Sequence, residues 1–307
     1  MAPRTPPHAA LLLTAGLGTR LRPLTSALAK PALPVAGPTL VERIIASVRD
    51  HGVTRLLLNL HYLPATITRI VGDGTSLGVS VRYSWEVPLL GSGGGPRRAF
   101  TLVPDDRLWL VNGDTLTDVN FARMAQEHAA SDALVTMAVI RNPAPDRYGG
   151  VVVEEDGRIR AFVPRGTREP TWHFVGVQIA EREAFRSLPD GLPAESVGDL
   201  YRALIAARSG SVRAFRSDAL FLDIGTPGDY LDACLRLAGT TVVAAAGTID
   251  PEARVTRSVL WEHARVGAGA VLDSVVVADG VHIPPGFAAS RAVLTAGRGG
   301  PVVTPFE

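Results

Sequence analysis

Short apolar runs that alternate with helix-period segments place the strongest constraint on this chain. "ALLLTAG" (residues 10–16) is continuously apolar and stops at a glycine, as a strand covered on both faces does. "LVERIIASVRDHG" (40–52) spaces its apolar residues helically and ends in a capping glycine. "VTRLLLNL" (53–60) is a second strand, "ATITRIVGDG" (65–74) a helix with its stop, and "VSVRYSW" (79–85) a third strand. "RLWLVNGD" (107–114) and "DALVTMAVI" (132–140) are the fourth and fifth. This alternation predicts an α/β, Rossmann-like, mostly parallel sheet with ligands at the carboxyl ends of its strands.

Beyond about residue 236 the pattern changes. "ARVTRS", "VLWEHA", "RVGAGA" and "VLDSVV" are short valine-rich pieces recurring near every sixth residue, the texture of a hexapeptide solenoid from Ile249 to Pro285. The expected domains are therefore 1–236, an α/β unit, and 237–307, a short solenoid. The tail "GRGGPVVTPFE" carries no visible fold signal.

Bulk composition narrows the function classes. The 307 residues carry a net charge of +1, so no global field attracts nucleic acid or an anionic membrane. Four scattered tryptophans form no stacking platform for bases. No apolar run approaches the roughly 18 residues of a spanning helix, and "AALLLTAGLG" runs into Arg20 without a cleavage-like site. One cysteine, Cys234, excludes an intrachain disulfide and a cysteine-built zinc site. The expectation is a soluble cytoplasmic protein with no nucleic-acid or membrane partner. The histidines show no metal-ligand spacing.

The densest chemistry lies in "AGLGTRLRPLTSALAKP" (15–31). A P-loop needs G-x-x-x-x-G-K-[ST], which is absent. A dinucleotide loop needs a third glycine where Leu21 stands, and an acidic end to the second strand, which instead ends "NLHYL". What fits is G-x-G-x-R, nine residues, then Lys-Pro: Gly16, Gly18, Arg20 and Lys30. Glycines let backbone N–H groups approach a polyphosphate, arginine forks across phosphate oxygens, and lysine delivers a point charge. Pro23, Pro31 and Pro34 stiffen the segment.

This segment resembles the signature of the sugar-1-phosphate nucleotidylyltransferases, and further stretches extend the likeness in chain order. The resemblance implies a nucleoside triphosphate and a sugar-1-phosphate as partners, and Mg²⁺ as cofactor. It assigns Ala15, Gly16, Gly18 and Thr19 to the nucleotide, with Arg20 and Lys30 catalytic. "LLGSGGG" resembles the family's "L-G-T-A-G" nucleoside segment, so Gly93 and Gly94, with Glu86 upstream, are nucleotide contacts. Asp114 in "VNGDTL" and Asp223 in "FLDIGTPGDY" match the two metal-binding aspartates, Phe221 standing where a tryptophan is usual. "RYGGVVVEEDGRIRAFVP" resembles the family's strand pair carrying "Y-G-x-V", making Gly149 a sugar contact.

Departures concentrate on the sugar side. The usual "F-V-E-K-P" is "AFVPRGTREP", leaving Arg165 in place of the lysine, and the usual "N-A-G" is "FVG", ending at Gly176. "LGSGGG" and the solenoid texture resemble mannose-1-phosphate guanylyltransferases, whose C-terminus is a short left-handed β-helix. "FVG" resembles N-acetylmuramate-1-phosphate uridylyltransferases. Two rivals stand beside these: an inactive sugar-nucleotide-binding regulator, and a solenoid acyltransferase using His263 or His282. Intact Arg20, Lys30, Asp114 and Asp223 oppose the first; a solenoid of about three coils opposes the second and suits packing or a homo-oligomer.

Overall fold

The computed structural model describes residues 5–244 and 248–307; the expected domains 1–236 and 237–307 each include a few residues outside that set. The chain forms two compact units. One joins the segment ending at Gly16 to Glu42–Phe221; the other joins Leu17–Val41 to Leu222–Glu307.

The first unit is built on a mixed sheet. Its opening elements are β1 (Ala9–Leu13), α1 (Leu40–Asp50), β2 (Arg55–Leu60), α2 (Pro64–Val71), β3 (Ser80–Trp85), α3 (Gly91–Leu102) and β4 (Arg107–Asn112). Then come β5 (Thr115–Thr117), α4 (Phe121–Ala129), β6 (Val135–Arg141), the hairpin β7 (Gly150–Val153) and β8 (Ile159–Val163), β9 (Trp172–Glu181), α5 (Tyr201–Ala207) and β10 (Val212–Arg216). The strand order is β10-β6-β9-β4-β1-β2-β3, with the hairpin attached to β9. All neighbours along this path are parallel except β9, which runs antiparallel to β4 and β6.

Sequence and burial agree strand by strand. β1, β2 and β4 are buried along almost their whole length, as their continuous apolar runs require, whereas the edge strand β3 alternates. Leu11, Leu57, Leu110 and Met137 meet Phe100, Phe185 and Tyr201 in one core. His128 is a satisfied core histidine: one ring nitrogen meets Thr136 Oγ1 at 2.7 Å and the other Glu181 Oε1 at 3.1 Å. Strands β1, β2 and β3 step outward in sequence order, and β4 then returns to the other side of β1. That reversal is a topological switch point, where a crevice opens beyond the strand ends. Parallel register sets Leu13 beside Asn112 there.

One glycine-rich stretch behaves differently from its composition. Read alone, "GSGGG" is a flexible loop; here it is the first turn of α3. Helix propensity is overridden by close packing, because a Cβ on Gly94 would lie 2.5 Å from the Leu192 carbonyl oxygen.

In the second unit a short strand end, β11 (Phe221–Asp223), leads into α6 (Pro227–Ala238). Thr226 and Asp229 close a reciprocal capping box at the start of α6, with Pro227 in its first turn. The remaining strands are β12 (Val242–Val243), β13 (Arg254–Thr256), β14 (Ser258–Leu260), β15 (Arg265–Val266), β16 (Val271–Val277), β17 (His282–Ile283), β18 (Ala288–Gly297) and β19 (Gly300–Pro305). Successive coils pair in parallel 17 residues apart: Val255 with Leu272, Val259 with Val276, Val266 with Ile283, Val276 with Val293. The repeat is thus one residue short of three hexapeptides. Left-handed backbone corners explain the deficit, falling at Arg257, His263, Gly269, Ser274, Gly280, Gly286 and Arg291. Sides of six, six and five residues result. The stack also runs past Pro285 into β18, and the tail forms β19, antiparallel to β18.

Among the described residues no helix is long and apolar enough to cross a membrane. Leu272 is fully buried at the centre of the coil stack. Leu272→Ala should lower the unfolding free energy by about 2–5 kcal/mol, read from urea titration, through lost burial and a residual cavity.

Candidate active site

At the switch point a buried polar network supports the end of β1. Asn59, near the end of β2, accepts through Oδ1 from the Thr14 amide (2.6 Å) and the Ala15 amide (3.3 Å), while Thr14 Oγ1 donates to the Asn59 carbonyl. Asn59 Nδ2 donates to Glu86 Oε1 at 2.8 Å, and Glu86 Oε2 accepts from the Leu90 amide at 2.9 Å. Glu86 is only 1% exposed. Expected as a nucleotide contact, it has both oxygens engaged inside the protein and fixes the segments around the crevice. Asn59 and Thr14 were missed by sequence reasoning, although a lone Asn inside "LLLNL" is a signal of buried polar pairing.

Gly93 and Gly94 line the first turn of α3, where both amides donate to the Ala194 carbonyl, at 2.8 and 3.3 Å. A Cβ on the next residue, Gly95, would meet Glu86 Oε1 at 2.9 Å. These glycines therefore permit close packing of residues 192–195 and of Glu86 around the helix start.

Gly16 is a different case. It is exposed, its φ is ordinary, and a Cβ there would meet nothing within 4 Å. Neither conformation nor packing within the protein demands glycine at this position.

The tight turn after β4 carries Asp114, half-buried. Gly113 donates its amide to the Leu13 carbonyl at 3.0 Å, and a Cβ there would lie 2.5 Å from that oxygen. "NGD" thus owes its glycine to the contact with β1. Gly176, in β9 with φ of 86°, packs against Asn112 and Thr115, the residues that flank this turn. The end of β1, Asp114 and Gly176 are accordingly brought together.

Gly149 is exposed at the start of the β7–β8 hairpin, and Arg165 is exposed in the turn that ends it. Tyr148, His173 and Phe221 form an aromatic cluster beside Gly149, with centroids 4.5 Å (Tyr148–His173) and 4.8 Å (His173–Phe221) apart. Burial pushes the His173 imidazole below its ordinary pKa, outweighing its hydrogen bond with the Gly149 backbone.

The second unit holds the cationic loop. No α-helix follows the glycines directly; Thr19–Leu21 is a single 3₁₀ turn, which agrees with rejecting both helix-linked phosphate loops. Gly18 is left-handed, and its Cβ would lie 3.1 Å from Thr25 Cγ2 and 3.3 Å from Lys30 Cβ. Thr25 Oγ1 donates back to the Gly18 carbonyl at 2.7 Å. Lys30, 9% exposed, sits on the 3₁₀ turn Lys30–Ala32, whereas Thr19 and Arg20 are exposed. Asp223 is half-buried just before α6, and Gly225 leaves room for its carboxylate.

Among the described residues no group of three or more His, Cys, Asp or Glu side chains forms a metal cage. Asp114 and Asp223 offer hard oxygen donors of the kind Mg²⁺ takes in ones and twos, its remaining positions being filled by phosphate oxygens and water. Each carboxylate, Asp114 in the first unit and Asp223 in the second, is by its own chemistry a donor that suits magnesium.

Two outcomes follow from this geometry. Glu86→Ala strands the Leu90 amide and the Asn59 side chain, and should destabilise the protein by about 2–4 kcal/mol in denaturant titration. For His173, the folded-state pKa lies below the unfolded value near 6.5, so the unfolded chain protonates first on acidification. Its contribution to stability is complete above that value and is lost as pH falls through the folded one. The Tm of His173→Phe should accordingly decline less steeply from pH 7 to 5 than that of the parent chain.

Known proteins resemble this chain in sequence and in fold. The family described as nucleotidyl transferase matches residues 9–239. The chain is 29% identical to mannose-1-phosphate guanylyltransferase of Mycobacterium tuberculosis, over 92% of this chain and 83% of that one. It is 32% identical to N-acetylmuramate alpha-1-phosphate uridylyltransferase of Neisseria meningitidis, over 71% of this chain and 93% of that one. The crystal structure of HddC from Yersinia pseudotuberculosis complexed with GMP-PN shares the fold, with a TM-score of 0.64 and 24% identity over 75% of this chain and 99% of that chain. The chain belongs to the nucleotidyl transferase family, as a sugar-1-phosphate nucleotidylyltransferase.

Proposed function

We propose that this enzyme makes a GDP-sugar, with mannose-1-phosphate and GTP as substrates, Mg²⁺ as cofactor and pyrophosphate as the second product. Gly16 carries the nucleotide part of this reading: a glycine required by neither φ nor packing, at a switch-point crevice, suits close approach of a phosphate chain. The guanylyltransferase relative supports the mannose assignment, because its likeness runs on through the coil stack and covers 92% of this chain. "FVG" (174–176) and the uridylyltransferase relative favour a second reading, a UTP-dependent enzyme for an amino-sugar 1-phosphate.

In this mechanism a sugar-phosphate oxygen, ionised at neutral pH, attacks the α-phosphorus as the bond to the β-phosphate breaks. Pyrophosphate leaves with that electron pair, and no general base is needed. Ala15, Gly16, Gly18 and Thr19 cradle the triphosphate. Arg20 neutralises the β- and γ-phosphates, and Lys30 the α-phosphoryl and the incoming phosphate. Gly93 and Gly94 border the nucleoside; Gly149, Arg165 and Gly176 border the sugar phosphate. Asp114 and Asp223 would hold Mg²⁺, which supplies Lewis acidity and a template for the phosphates. Positioning and charge neutralisation provide most of the acceleration. We read residues 1–236 as the catalytic domain of a cytoplasmic enzyme, and 237–307 as a short left-handed β-helix that packs or builds a homo-oligomer.

Pyrophosphate release, measured with each nucleoside triphosphate against a panel of sugar-1-phosphates, tests the proposal. Fastest release with GTP and mannose-1-phosphate is expected; release only with UTP and an amino-sugar phosphate would select the second reading. Nucleotide binding without any release would make the protein an inactive sensor. Lys30→Ala and Asp114→Asn should each lower turnover by roughly 10²–10³-fold, as loss of one charged contact to a transition state does.

A further inference from the structure

Helix α6 links the coil stack to the loop that carries Lys30. The Trp261 indole N–H donates to the Tyr230 hydroxyl oxygen at 2.7 Å, the two rings meeting edge to face at 75°. The Tyr230 hydroxyl in turn donates to the Pro34 carbonyl. Chemistry fixes the direction of this relay: an indole nitrogen only donates and a carbonyl only accepts, so the hydroxyl must do both. Trp261 is 8% exposed and Tyr230 fully buried, so water competes little with either bond. Burial also holds the Tyr230 phenol far above its ordinary pKa, keeping the donated proton in place at any working pH.

Pro34 lies two residues beyond the turn Lys30–Ala32. The bond from the Leu33 amide to the Lys30 carbonyl (3.1 Å) ties it to that turn, and a bridge between Pro34 and Thr39 closes the loop behind it. The same helix begins at the capping box three residues after Asp223. One rigid element therefore carries the Asp223 strand end, supports the Lys30 loop and is itself braced by the coils.

We propose that Tyr230 and Trp261 are positioning residues that hold the Lys30 loop in its working conformation, so that the coil stack governs the rate of phosphoryl transfer. This rests on the role given to Lys30 above. A bulk-packing role for the coils would instead make loss of these bonds a matter of stability alone.

Tyr230→Phe removes one oxygen and keeps the ring. In the pyrophosphate-release assay its kcat should fall about 10- to 100-fold, the usual penalty for a displaced catalytic group. KM for the nucleotide should stay within about threefold. In a Lys30→Ala background the same change should cost less than about twofold, because two residues acting as a unit are not additive. Trp261→Phe should move the same quantities in the same direction by a smaller amount. An unchanged kcat, or equal losses in both backgrounds, would overturn the proposal.

A readout independent of turnover is acetylation of Lys30, followed by mass spectrometry. Labelling should rise severalfold in Tyr230→Phe; unchanged labelling overturns the proposal even in a chain with no detectable turnover. A parent enzyme silent with every substrate, combined with raised labelling in the variant, would refute the assigned reaction and leave the relay standing. Should Tyr230→Phe not fold, Trp261→Phe carries both readouts.

Discussion

The parallel pairing of β1 with β4 is the constraint on which the crevice of the first unit depends. Leu13 and Asn112 are register partners, and the Gly113 amide closes on the Leu13 carbonyl immediately beyond them. That contact turns the chain sharply enough to present Asp114 at the strand end. It also leaves no room for a side chain at 113. The Asn59 network works from the opposite flank, holding the Thr14 and Ala15 amides while Glu86 holds Asn59. These are short bonds among groups removed from water, where an unmade partner is expensive and geometry is correspondingly well determined.

Elements whose physics is local were legible in the sequence. The five predicted strands became β1, β2, β3, β4 and β6: buried strands such as β1 and β4 need continuous apolar residues, and the edge strand β3 shows alternation instead. The hairpin of β7 and β8 appeared where a strand pair was expected, and the helix after Leu40 ended within two residues of its capping glycine. The nucleotidyl transferase assignment was legible for a related reason: phosphate chemistry restricts side chains at fixed spacing, and Gly16, Gly18, Arg20 and Lys30 have that spacing.

What was not legible depends on contacts distant in sequence. "GSGGG" looks like a loop because helix propensity is a local quantity; the backbone at 192–195 that makes glycine necessary lies about a hundred residues away. Glu86 was singled out for its place just upstream of the glycines; its bond to Asn59, on another strand, is a distant contact that such a reading does not reach. The tail became β19 by pairing with β18, an edge available only once the coils had stacked. A spacing near six was visible in the coil region, but the true repeat of 17 depends on where corners turn left-handed. Residues as ordinary as Arg257, Ser274 and Arg291 occupy those corners.

The five-residue side of each coil has a consequence for how such a chain tolerates change in length. Every inward side chain sits above its equivalent 17 residues earlier, as Leu260, Val277 and Leu294 do. An insertion of a whole coil preserves that stacking, adding a rung without disturbing its neighbours. Loss of one residue from a straight side inverts inside and outside along the rest of that side. Length is thus quantised in this region: evolution or an engineer can lengthen the stack by full turns, while single-residue indels are absorbed only at the corners.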